Sequence, residues 1–122
     1  DYQRFFLDNG LEVIVHEDSS SKIAVFNLLY KVGSRFEQPG KTGLAHFFEH
    51  LMFGSSAHVP EFDRELERVG GSCNAFTSPD ITNYYMTLPS SNLETAFWLE
   101  SDRMAHLSLT EKTIETQRKV VL

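Results

Sequence analysis

The sequence predicts an α+β domain, a mainly antiparallel sheet with helices packed on one face. Three observations predict it. Segments of alternating or β-branched apolar residues fall at Leu11–His16, Ile23–Val32, Ser72–Ser78 and Ile81–Leu88. Segments of helical character fall between and after them. The resulting order is strand, strand, helix, helix, strand, strand, helix, helix, which fits a sheet with its helices segregated to one side.

Asn9-Gly10 is a turn signal ahead of the first strand. Leu-Glu-Val-Ile-Val-His then alternates over Leu11–His16. Ile23–Val32, rich in Val, Phe, Leu and Tyr, reads as a longer, buried strand, and the two are expected to pair as a hairpin. Gly33–Gly40 is a loop closed by Pro39-Gly40. Thr42–Phe53 reads as a helix ended by Gly54. Pro60 opens a second helix, Glu61–Val69, stopped by Gly70-Gly71. A turn with Pro79-Asp80 joins the next two strands. Ser91-Asn92-Leu93-Glu94 fits a capping box opening a helix to about Leu107, and Thr110 caps a final helix from Glu111.

The chain has 122 residues, enough for one small core, and 41% hydrophobic residues with ten Phe argue for real burial. A net charge of −6 without a basic run speaks against nucleic acid or an anionic membrane as partner. No apolar run approaches a membrane span. One cysteine, Cys73, excludes an internal disulfide and reads as a small strand residue. The start at Asp1 and a last helix running to Leu122 without a stop signal predict a piece of a longer protein.

The predicted helix at Thr42–Phe53 contains His46-Phe47-Phe48-Glu49-His50. At about 100° per residue, His50 lies about 40° from His46 and Glu49 about 60° to the other side. The three share one face. Phe47, Leu51, Leu44 and Phe48 fall opposite and are expected to pack on the sheet, so that the polar trio faces outward. Two imidazoles at i and i+4 can reach one zinc ion. A carboxylate beside them can take a proton from water and return it to a leaving amine. This is the His-x-x-Glu-His order. A third ligand is required. Within the chain the late candidates are Glu111 and Glu115, while His16, His58 and His106 read as lone surface or core histidines.

Further motifs accompany that helix: Phe62-Asp63 with Leu66 and Gly70-Gly71, Asn74 to Ser78, Asp80 to Tyr85, Ser101-Asp102-Arg103-Met104, and Gln117 to Val121. With Gly43–Phe53 they resemble the pitrilysin-type zinc metallopeptidases along nearly the whole chain. The resemblance implies a metallopeptidase domain of the mitochondrial processing peptidase type, truncated, with residues 1–122 its N-terminal part. It implies Zn2+ held by His46 and His50, Glu49 as the catalytic base, and a peptide or small-protein substrate added as a strand along Asn74, Ala75, Phe76 and Thr77. It also implies a second homologous domain or subunit in the full-length protein. It places the third ligand, a Glu, just past Leu122, and Gln117 where many relatives carry a supporting Glu. It favours a bacterial envelope or cytoplasmic setting over a mitochondrial one. Two other readings stay open: a non-catalytic partner subunit of the same fold, and a metal lyase resembling S-ribosylhomocysteinase, whose later metal Cys has no match here.

Overall fold

The Asn9–Gly10 turn joins two strands rather than merely preceding one. In the computed structural model, which describes residues 1–121, β1 (Tyr2–Phe6) pairs antiparallel with β2 (Glu12–His16), from Tyr2 opposite His16 to Phe6 opposite Glu12. Gly10 supplies the left-handed turn residue at φ 85. The expected pairing of Leu11–His16 with the following strand is therefore wrong. β1, which the sequence reading did not assign, takes that place because a tight turn brings it there at little entropic cost.

β3 (Ile23–Tyr30) instead forms a second sheet with β4 (Ser72–Thr77) and β5 (Thr82–Pro89), in the order β3-β5-β4, all antiparallel. Phe26 and Cys73 both stand opposite Met86 in this register. The sheet therefore has one face carrying Phe26, Cys73, Tyr84, Met86 and Leu88. The helices α1 (Leu44–Leu51), α2 (Phe62–Arg68) and α3 (Leu93–His106) pack on it. Val59, Phe62, Leu66, Met86, Leu88 and Leu99 fill the space between. On the other face Val25 and Ile23 are exposed, so β3 alternates rather than being buried throughout.

Gly70, at φ 76, ends α2 as expected, and its N–H donates to the Glu67 carbonyl. The capping box at Ser91 does not form. Ser90–Asn92 make a 3-10 turn, and the amide of Asn92, at the N-cap of α3, donates to the Val69 carbonyl. Thr110 does cap α4 (Glu111–Val121): its Oγ1 accepts from the Thr113 N–H at 3.2 Å. Among the described residues no helix is long and apolar enough to cross a membrane.

Candidate metal centre

α1 carries the trio, and its position is set at both ends by residues outside it. At the N-terminus Gly43 offers no side chain, and the cap comes from the preceding loop. The Glu37 carboxylate accepts from the N–H of Gly43 and of Ala45, each at 2.8 Å. Those bonds, the one from Ala45 foremost, hold the Glu37 carboxyl below its ordinary range. The loop is tied in turn to the β4–β5 turn. Ser34 N–H donates to the Ser78 carbonyl, Arg35 N–H to the Pro79 carbonyl, and Arg35 pairs with Asp80 at 2.7 Å. Gly33 permits this approach, since a Cβ there would lie 2.1 Å from the Ser78 oxygen. At the C-terminus, Arg103 of α3 donates to the Met52 carbonyl at 3.4 Å. That guanidinium is buried, paired with Glu100, and faces the rings of Phe62, Tyr84 and Phe53. Burial in this cluster raises the Tyr84 phenol above its ordinary pKa.

Between these anchors the Nε2 atoms of His46 and His50 stand 3.1 Å apart. Two nitrogens on one tetrahedral zinc, each at about 2.0–2.1 Å, are separated by about 3.3 Å. The separation of the pair therefore matches that of two nitrogens on one zinc ion. Glu49 does not face outward as expected. It is 8% exposed and accepts a hydrogen bond from Thr77 Oγ1 of β4. Leu44 and Phe48, expected against the sheet, are 50% and 48% exposed, although Leu51 is buried and Phe47 half-buried. The reason is the direction of packing. α1 meets the sheet at its β4 side, so the face turned inward is Ala45, Glu49 and Met52, at i, i+4 and i+7.

The four strand residues divide by the period of two. Ala75 and Thr77 are turned toward α1, and Asn74 and Phe76 toward the bare face. Among the described residues β4 has β5 on one side only, so its other edge is open. An open groove of about 480 Å³ runs between that edge and α1, bordered by His46, Glu49 and Ala75–Thr77.

Of the other candidates, Glu111 is exposed, and Glu115 is exposed and paired with Arg118. Among the described residues the three donors that converge within 4.8 Å are His58, Asp102 and His106, without His46 or His50. The expected ligand past Leu122 lies outside the described residues. His16 stays lone, its Nδ1 2.9 Å from the Asp1 carbonyl. His58 and His106 do not stay lone. Their proximity across 48 positions left no local signal. Cys73 donates to Asp63, and burial foremost, then that carboxylate, pushes its thiol up to about 12. That matches a structural cysteine rather than a reactive one.

The sequence pattern of the family described as Insulinase (Peptidase family M16) matches residues 12–122. The chain belongs to peptidase family M16. It is 41% identical over 118 residues to the zinc protease PqqE of Helicobacter pylori, covering 94% of this chain and 27% of that protein. It is 35% identical to a probable mitochondrial-processing peptidase subunit beta of Arabidopsis thaliana, covering 95% of this chain and 22% of that one. The solved structure of pitrilysin superposes with a TM-score of 0.89 at 31% identity, over 98% of this chain and 13% of that one. The M16 chain described here thus spans about a quarter of the length of the curated relatives it matches.

Proposed function

We propose that this M16 chain forms the first part of the catalytic domain of a zinc-dependent endopeptidase acting on extended peptides. The observation that carries the reading is the placement of a buried carboxylate, Glu49, beside two imidazole nitrogens 3.1 Å apart, at the open edge of a strand. His46 and His50 would hold Zn2+, and a Glu just past Leu122 would complete the set. When bound, zinc supplies Lewis-acid polarisation of a peptide carbonyl and of water.

The remaining work falls to the chain's own residues. A peptide in extended form hydrogen-bonds to the free edge of β4 and becomes a fourth strand, with its backbone aligned along Asn74–Thr77. Ala75 lines the groove with a small side chain, leaving room for the scissile bond near Glu49. Glu49 takes a proton from the attacking water and delivers it to the departing amine. The Thr77 hydroxyl, donating to one carboxylate oxygen, holds Glu49 at the border of the groove. A second homologous domain or subunit would cover the groove and exclude water.

Glu49→Gln in the full-length protein tests the base. Cleavage of an unstructured peptide should fall by about 10²–10⁴-fold with zinc content unchanged. Undiminished cleavage removes Glu49 from the role. The first residues beyond Leu122 offer a second check. An acid there on the continuation of α4 supports the peptidase reading, and its absence favours the non-catalytic partner.

A further inference from the structure

The C-terminal end of α3 carries a second set of metal donors that the peptidase reading does not use. Asp102 and His106 lie at i and i+4 on that helix, the spacing that brings two side chains to one face. His58 reaches them from the segment that follows α1. Its Nδ1 stands 2.6 Å from Asp102 Oδ1, and its ring is 5.5 Å from the His106 ring, edge to face. One donor atom from each residue lies within 4.8 Å of the others.

The two segments are fixed to one another by their backbones. Ala57 N–H donates to the His106 carbonyl at 3.0 Å, Ser108 N–H to the Ser55 carbonyl at 2.9 Å, and Ser56 bridges to Leu107. The donors therefore keep their proximity as a property of the fold. Asp102 is the rigid member. It is 7% exposed, and its Oδ2 accepts from the Ser56 hydroxyl and the His58 N–H. The Ser56 bond foremost, then the His58 ring, hold its carboxyl down to about 2. Oδ1 has the His58 ring as its partner. His58 and His106 are exposed, so their rings can rotate onto a shared ion, and solvent can fill a fourth position.

We propose that His58, Asp102 and His106 form a second metal site, separate from His46 and His50, that takes a divalent transition-metal ion. Two imidazoles and one carboxylate are a donor set of zinc, and also suit cobalt(II) and nickel(II), whereas calcium and magnesium prefer oxygen donors throughout. An ion there clips the end of α3 to the segment after α1. It would act as a brace between the two helices rather than as a reacting centre, because its carboxylate is already held by the Ser56 hydroxyl and the His58 N–H.

The test uses the full-length protein with His46→Ala and His50→Ala, stripped of metal and titrated with zinc alone. One equivalent of zinc should still bind, and the ring nitrogen resonances of His58 and His106 should shift with saturation in nitrogen-15 spectra. Adding His58→Ala and His106→Ala should abolish that binding while circular dichroism stays unchanged. Absence of zinc binding in the His46→Ala, His50→Ala protein, with the same dichroism as the parent, would overturn the proposal. So would zinc that remains bound after His58 and His106 are replaced, or that shifts neither ring. Failure here leaves the assignment of Glu49 untouched, since that rests on cleavage by the parent protein.

Discussion

Helices α1 and α3 each present two potential metal ligands one turn apart, His46 with His50 and Asp102 with His106, yet the surroundings of the two pairs differ. On α1 the potential ligand His46 borders a groove, and the buried carboxyl beside it, Glu49, accepts from the Thr77 hydroxyl at the edge strand β4. On α3 the buried carboxyl is itself one of the proposed ligands. Asp102 is already gripped by a hydroxyl and a backbone N–H, and its partner histidines face solvent. The difference teaches that the i, i+4 spacing makes a ligand pair, while the segment arriving from elsewhere decides its use. A strand edge and a free carboxylate oxygen suit α1 to chemistry. A clipped loop and a satisfied carboxylate suit α3 to holding.

The largest way to break this contrast is to cut the link between the two helices. Arg103→Met leaves Glu100 buried without its partner and removes the donor to the Met52 carbonyl. It should cost about 3–5 kcal/mol in urea unfolding. A cost below about 1 kcal/mol would show that packing, not the ion pair, joins α1 to α3.

A smaller effect sharpens the account of the α1 side. Thr77→Val keeps the shape of the side chain and removes the donor to Glu49. Loss of a hydrogen bond to a charged group, about 1.5–3 kcal/mol, predicts a fall in kcat of about tenfold to a hundredfold. KM should hardly move, and Thr77→Ser should restore most of the rate. An unchanged kcat in Thr77→Val would mean that Glu49 is oriented by something else.

The smallest effect concerns the borrowed cap of α1. The Glu37 carboxyl is held below its ordinary range in the folded chain, so the unfolded chain binds its proton more readily. The stabilisation it provides is therefore present above the ordinary carboxylate pKa and is lost as pH falls through the lowered folded value. Glu37→Gln should lower Tm slightly at neutral pH and flatten the acid limb of Tm against pH. Because α3 has no side-chain cap, changes at its first turn should leave peptide cleavage alone, whereas Glu37→Gln should reduce it. A Tm profile superimposable on that of the parent would remove Glu37 as the cap.

Much of the architecture was readable because its causes are local. The helix with His46, Glu49 and His50, the stop at Gly70, the cap at Thr110 and the strands on either side of Pro79-Asp80 each follow from neighbours a few residues away. The errors share the opposite cause. Adjacency in the chain predicts that β2 pairs with β3, but β3 pairs with β5, where the apolar faces of Phe26 and Met86 meet. The wheel of α1 gave the angles between its residues correctly and the buried side incorrectly, because the direction from which β4 approaches is not a property of the helix. Glu37 carries no local sign of its role, because it lies in the Gly33–Gly40 loop, six and eight residues before the N–H groups it caps.

Taken alone, the amino-acid sequence determined the α+β class and the grouping of His46, Glu49 and His50 on one helix face, both consequences of periodicity, and its motifs carried the resemblance to the family. Tertiary structure decided that Glu49 is buried against Thr77, that β4 is an edge, and that His58 meets Asp102 and His106. These depend on contacts between segments far apart in the chain. Such contacts are selected by burial of the whole sheet face at once, so no stretch of a few residues records them.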